Sequence, residues 1–339
     1  MLIGKKIISV LLLIPVLFAI PPLSGCEKKY IEKKKPVRIG LSVWAGYGPA
    51  FIAKEKGIFK KNNVDVELVL QRHITAAEDS YRYGETDGIL NLFSTVILFN
   101  SEGTPTKAVY VVDYSDSGDV IIGKREFKSL KDLKGKKIGV ERINDFSHYF
   151  ILKLLEKAGI RESEVYLKIV PALDVLKELD KGTIDAGHTW EPMKSQALKK
   201  GYKVLAKAGD IPGLLTDVLA FNSRVIRERP EDIQNIVKSF SEAMEFVHAN
   251  KKEAVEIMSK AMGMSEKEME EGIDAIILPD LNANIKAMLQ TGESTSLYSS
   301  YKSVADFYLS RGQISTMPKM EDVIDARFVT YLGKEGKNK

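Results

Sequence analysis

Aromatic and carboxylate side chains fall repeatedly where a strand pattern gives way to a helix pattern. Trp44 and Tyr47 flank Gly46 in the run Trp44-Ala45-Gly46-Tyr47-Gly48-Pro49. Asp113 and Tyr114 close an apolar run, and Trp190 and Glu191 stand directly before Pro192. Asn91 and Ser94, Arg142 to Ser147, and Thr216 with Asp217 occupy comparable positions. Such groups stack on, donate to and accept from a bound molecule. None of them is arranged for covalent chemistry. There is no Gly-x-Ser-x-Gly elbow and no P-loop, and Gly46-x-Gly48 lacks the third glycine of a dinucleotide fingerprint. The four histidines, His73, His148, His188 and His248, are scattered without the paired spacing of a metal site. Each reads as a surface or core histidine, although His148 and His188 lie near the turns just named.

The elements that must position these residues alternate between strand and helix. Residues 37–43 are β-branched and apolar, and residues 50–59 have helical spacing that stops at Gly57. Gly46 and Gly48 permit a tight turn between them, and Pro49 suits the first turn of a helix. A strand feeding directly into a helix aims free backbone N–H groups at whatever sits above the strand end. Further strands are expected at 64–70, 87–91 and 108–112, with helices at 75–83 and 93–100. After Ser117-Gly118-Asp119 a second series begins, with strands at 120–124, 137–140, 165–170, 184–186 and 202–206. Its helices are expected at 129–133, 146–158, 173–180 and 191–200. An extended run at 214–222 follows, and from Pro230 the chain is mostly amphipathic helix, with Ile233, Ile236, Val237 and Phe240 on one face. This alternation predicts an α/β protein of mainly parallel sheets with helices on both faces. The roughly 300 residues after Pro36 suffice for two domains.

The first residues read as a leader. Lys5 and Lys6 precede an uncharged apolar run over 7–20, and Leu23-Ser24-Gly25-Cys26 resembles a bacterial lipoprotein processing site. The run is short for a retained membrane helix, which needs about 20 residues. Residues 1–25 are therefore expected to be a signal peptide, Cys26 the lipidation point and 26–35 a charged tether. Cys26 is also the only cysteine, so there is no disulfide, thiolate metal cluster or cysteine nucleophile. Without the leader, 48 basic residues face 46 acidic ones, which gives no reason to expect nucleic acid as a partner.

Taken together these stretches resemble a known family. Trp44 to Pro49, with the helix ending Lys56-Gly57-Ile58-Phe59, resembles the first strand–helix unit of solute-binding proteins of ABC importers. The class is that for nitrate, sulfonate and taurine, which includes binders of thiamine-pyrimidine precursors. Asp113-Tyr114-Ser115, residues 130–140, Gly182-Thr183-Ile184-Asp185-Ala186 and Thr189-Trp190-Glu191-Pro192 continue the match over nearly all of residues 36–333. The resemblance implies a two-lobe periplasmic-binding-protein fold of type II, with ligand held between the lobes. Lobe one would comprise 36–119 and 216–339, lobe two 120–215, with crossings near 116–120 and 216–222. It further implies a monomer that closes on its solute and docks on a membrane permease, itself driven by an ATPase. No cofactor is then needed by this chain.

In open α/β sheets ligands sit beyond the carboxyl ends of the strands. The candidate ligand contacts are therefore Trp44, Gly46, Tyr47, Asn91, Ser94, Tyr114, Ser147, Trp190, Glu191 and Asp217. Glu191 is either a first-turn carboxylate favoured by the helix dipole or a ligand acceptor beside an aromatic wall. Asp113 is either a strand-end residue or a contact. Asn144 or Asp145 caps the helix that follows, and Ser147 is the donor if ligand reaches that helix end. The acidic candidates Asp113, Asp145, Glu191 and Asp217 outnumber Arg142, which disfavours a strongly anionic solute. A neutral, cationic or zwitterionic organic molecule is expected, such as an aminosulfonate, an amine or an aminopyrimidine, stacked on Trp44, Tyr47 and Trp190. Two rivals remain: a receptor for a membrane signalling partner, and a pyrimidine-synthesis enzyme of the same fold. The export signal counts against the second.

Overall fold

The computed structural model describes residues 34–337, so the expected leader, the lipidation point Cys26 and most of the tether lie outside the described residues. From Pro36 onward the chain forms one compact unit. No described helix is long and apolar enough to cross a membrane.

The chain first lays down β1 (Val37–Ser42), β2 (Val66–Gln71), β3 (Gly88–Leu92) and β4 (Thr106–Ser115). It then crosses to β5 (Val120–Gly123), β6 (Lys137–Val140), β7 (Tyr166–Ile169), β8 (Ala186–Thr189) and β9 (Lys203–Lys207). It returns with β10 (Thr216–Asn222) and the short β11 (Ile276–Ile277). Two sheets result, ordered β11-β4-β10-β3-β1-β2 and β7-β6-β8-β5-β9. The sheets are mixed. In the first, β10 is inserted antiparallel between β3 and β4; in the second, β5 runs antiparallel to β8 and β9. The reason is the path of the chain. Each inserted strand is the first after a crossing, so it enters its sheet at the cleft end, where its neighbours finish. The return crossing lies at 208–215, upstream of the 216–222 expected from sequence, which is β10 itself.

Local sequence explains the elements that face the cleft. β1 ends at Ser42, Trp44 leads into a single 3-10 turn over Ala45–Tyr47, and the helix Gly48–Glu55 follows with Pro49 in its first turn. Pro49 has no N–H to satisfy there, and Gly57, at φ 68°, breaks the helix from the next turn, Ile58–Lys61. β3 and most of β4 are buried on both faces, as strands covered by helices on both sides must be. The helix Pro230–Ala249 buries the expected stripe Ile233, Ile236, Val237 and Phe240, with Phe240 meeting the Tyr110 ring at 6.2 Å. Each such side chain contributes about 1.5–3 kcal/mol. In β5 the period of two is plain: Ile121 joins the main core, while Val120 and Ile122 face a second apolar cluster with Val175 and Ile184.

The C-terminal helices do more than complete the first lobe. The helix Leu297–Ser310 reaches the second lobe, where Ser303 Oγ and Tyr149 Oη are 2.5 Å apart and the Phe307 and Tyr149 rings 4.7 Å. Arg311 pairs with Glu162 beyond it. The helix Glu266–Asp274 supplies Glu271 to the Ser195 hydroxyl and Glu268 to the Gln196 amide, the latter at 3.1 Å.

Candidate functional site

A cleft of about 260 Å³ opens between the two sheets at their strand ends. The first lobe contributes Ser42, Trp44, Tyr47, Ile74, Leu92 and Asp217. The second contributes Phe146 and Trp190, and Asp119 comes from the first crossing. Two aspartates line it and, among the described residues, no lysine, arginine or histidine does.

Each acidic group is held by neutral donors. The Tyr47 hydroxyl donates to Asp217 Oδ1. Trp44 Nε1 donates to Asp113 Oδ2 at 3.0 Å, just behind the cleft wall. Asp113 and Asp217 are paired across β4 and β10, immediately beside a register shift that leaves Val112 without an opposite residue. Directly opposed residues in an antiparallel ladder project from the same face, and a bulge there re-aims the side chains. Asp113 Oδ1 is buried and has no hydrogen-bond partner. Burial, with Asp217 alongside, pushes the Asp113 carboxyl well above the usual range. Burial also raises Asp217, to about 8, and the nearby Asp119 carboxylate adds to it. The Tyr47 phenol is raised by burial and by Asp217.

Asp119 is positioned from the second lobe. Its Oδ1 lies 2.9 Å from His188 Nε2, and His188 Nδ1 lies 2.9 Å from Ser147 Oγ. A carboxylate oxygen only accepts, so His188 Nε2–H donates to Asp119; in the neutral ring the Ser147 hydroxyl, which also accepts the Glu141 N–H at 3.1 Å, then donates to Nδ1. The backbone N–H of Asp119 donates to Ser115 Oγ at 2.9 Å. His188 sits among Phe146, Phe150 and Trp190, with ring centroids 4.9–5.8 Å away. Behind this chain Glu141 accepts the Ala172 N–H at 2.9 Å, and burial pushes its carboxyl up to about 7.

The aromatic wall also joins the lobes. Trp44 and Trp190 meet edge to face with centroids 6.3 Å apart. Trp190 Nε1 reaches across to donate to the Val43 carbonyl at 3.2 Å. Gly46 has no side chain because Asp113 occupies the space: a Cβ there would lie 1.8 Å from Asp113 Oδ2 and 2.7 Å from Trp44 Nε1. Nearer the rim, Arg142 of the second lobe pairs with Glu78 of the first at 3.2 Å.

Of the residues singled out from sequence, Trp44, Tyr47, Trp190 and Asp217 line this cleft, and Gly46 lies behind it against Asp113. The others are placed elsewhere. Tyr114 donates to the Thr295 carbonyl at 2.9 Å and borders a separate surface hollow with Pro279 and Glu293. Asn91 is turned to Glu78 and its own neighbour, accepting the Leu92 N–H at 2.7 Å. Ser94 is buried against Tyr308. Ser147 serves His188 rather than the cleft, and Asp145, not Asn144, caps the helix Phe146–Lys157 through the His148 N–H at 3.0 Å. Glu191 accepts from the Ser195 N–H and hydroxyl at 3.1 and 3.0 Å and pairs with Lys194 at 3.2 Å. Phe146 belongs to the 142–147 turn expected at the cleft, whereas Asp119 is not among the residues the sequence points to and His188 reads there as a surface or core histidine. The only sequence signal for Asp119 was the Ser117-Gly118-Asp119 break that marks the crossing. No group of three or more histidine, cysteine, aspartate or glutamate side chains among the described residues could hold a metal ion.

Solved structures share this fold. The zinc-bound ligand binding component of an ABC-type import system from Staphylococcus aureus aligns with a TM-score of 0.73 at 17% identity, covering 88% of this chain and 98% of that one. The periplasmic aliphatic sulphonate binding protein of Escherichia coli aligns at 0.68 and 17%, covering 85% and 96%. The fold is that of the periplasmic binding proteins. In sequence, a Brucella abortus chain named only as a binding protein is 28% identical over 241 residues, 69% of this chain and 74% of that one. A 4-amino-5-hydroxymethyl-2-methylpyrimidine phosphate synthase of Saccharomyces cerevisiae is 25% identical over 221 residues, 60% of this chain and 63% of that one. A family model described as NMT1/THI5 like matches residues 44–254, from the first cleft tryptophan into the C-terminal helices, and the chain belongs to that family.

Proposed function

We propose that this chain is the solute-binding component of an ABC importer, capturing a small organic molecule between its lobes and presenting the closed form to a membrane permease. The observation that carries this reading is the aromatic cleft built jointly by both lobes, with Trp44 and Tyr47 facing Trp190 and Phe146. A ligand held there touches both lobes at once, so it binds the closed state better than the open one and draws the lobes together. Trp44, Tyr47, Trp190 and Asp217 would contact the solute, with Asp119 added to them. Lobe one is read as 36–119 with 216–339, and lobe two as 120–215. Export with lipid attachment at Cys26 would hold the monomer beside its permease at the cell envelope.

The test is to denature the purified full chain, identify any released small molecule by mass spectrometry, and titrate it back by calorimetry. Submicromolar binding with a decrease in the radius of gyration supports the reading; no released molecule and no binding overturn it. The yeast relative is named as a synthase, and this favours a second reading, conversion of a bound pyrimidine-like molecule. Recovery of the solute chemically unchanged after prolonged incubation rules that out.

A further inference from the structure

We infer that the solute is a small organic cation, a protonated amine or similar nitrogen base, held between the carboxylates of Asp119 and Asp217 and the ring faces of Trp44, Tyr47 and Trp190. The inference rests on the solute-binding reading and adds the charge of the solute to it.

The charge balance of the cleft carries the argument. Two aspartates line it, a third stands behind one of them, and among the described residues no cationic side chain lines it. Arg142 and Lys194, which follow the second sheet's strand ends, are committed elsewhere: Arg142 to Glu78, and Lys194 to Glu191 and the Ser117 carbonyl at 2.9 Å. The donors that reach the carboxylates, Tyr47 Oη, Trp44 Nε1 and His188 Nε2, orient them without a permanent positive charge opposite. A buried carboxylate group without a counter-ion is costly, and Asp113 Oδ1 lacks even a hydrogen bond. Burial shifts the Asp113 and Asp217 carboxyls toward their neutral forms, which relieves part of that cost. A cation relieves it better, since it supplies the missing charge. The aromatic rings then offer their negative faces to the same ligand. A sulfonate or nitrate would meet the opposite situation, acidic groups on one side and ring faces on the other.

The experiment is calorimetric titration of the full chain, freed of bound molecules, with six probes of similar size. Propylamine, tetramethylammonium and 4-aminopyridine are cations, taurine is a zwitterion, and ethanesulfonate and nitrate are anions. The expected result is that a cation binds at least tenfold more tightly than either anion and than taurine. Asp119→Asn and Asp217→Asn should each weaken that cation at least tenfold while melting no more than a few degrees below wild type. Tighter binding of taurine, ethanesulfonate or nitrate overturns the inference, as do two asparagine variants with wild-type affinity. If no probe binds, the molecule released from the native protein decides. A positively charged one supports the inference; a neutral or anionic one overturns it and leaves the solute-binding reading standing. No released molecule overturns both.

Discussion

Asp113 and Asp217 stand directly opposite each other on adjacent antiparallel strands, two carboxyls paired where a ladder ordinarily places unlike charges. Their shared environment raises both, Asp217 to about 8. The linkage follows from the sign of that shift. Between the ordinary carboxyl range near pH 4 and about pH 8, the folded empty protein keeps protons that the unfolded chain releases. Stability therefore falls as pH rises through that window, by up to about 1.4 kcal/mol per unit for each proton held, and levels off above it. Asp217→Asn removes one such proton. Its melting temperature should match wild type near pH 4 and exceed it by several degrees above pH 8. Parallel wild-type and variant curves across that range would show that Asp217 ionises normally in the folded state.

The glycine between the two cleft aromatics sets the position of this pair. A methyl group on Gly46 must displace the Asp113 carboxyl, and with it the anchor of Trp44. Gly46→Ala should destabilise by about 1–3 kcal/mol, the usual penalty of overpacking. Asp113→Ala alone also destabilises, by stranding Trp44 Nε1, but it empties the space the new methyl needs. The double variant should be more stable than the sum of the single effects by at least 1 kcal/mol in denaturant unfolding. Additive effects would mean that some group other than Asp113 limits the site.

Trp190 combines two tasks that one substitution separates. Trp190→Phe keeps an aromatic wall and loses the N–H that reaches the Val43 carbonyl across the lobes. Such a bond is worth about 0.5–1.5 kcal/mol, so solute affinity should fall about three- to tenfold. Trp190→Ala removes the wall as well and should fall further, with the fold intact. The chain has only two tryptophans, so fluorescence of the Phe variant comes from Trp44 alone and reports solute at the other wall. Unchanged affinity in Trp190→Phe would remove the cross-lobe bond from the closing contacts.

What the sequence disclosed depended on how local the cause was. The unit from β1 through Trp44, Gly46 and Pro49 into its helix is specified by neighbours in the chain, and its strand, turn and helix lie where the pattern puts them. The antiparallel insertions β5 and β10 are not local facts. They follow from where the chain re-enters each sheet, and alternation alone cannot reveal it. The same division runs through the site. Tyr114 and Asp113 are adjacent at the end of one strand, so they face opposite sides, and only one can look to the cleft. Glu191 is drawn away by Ser195 and Lys194, a first-turn contact that the spacing allowed but did not force. Asp119 went unnoticed because its role needs His188, 69 residues later.

That long-range contact yields the last prediction. His188 does not line the cleft; it acts as a positioning residue, holding Asp119 Oδ1 through its Nε2 while the Ser115 hydroxyl accepts the Asp119 backbone N–H. Its surroundings are aromatic, so His188→Phe should pack there while leaving Asp119 Oδ1 and the Ser147 hydroxyl without their partner, at a cost of about 1–3 kcal/mol. His188→Gln keeps an amide donor that can reach Asp119. Solute affinity should fall more than tenfold in the Phe variant and recover to within about fivefold of wild type in the Gln variant. A purely structural role for His188 would lower the melting temperature of both variants and leave the Gln variant as weak a binder as the Phe variant.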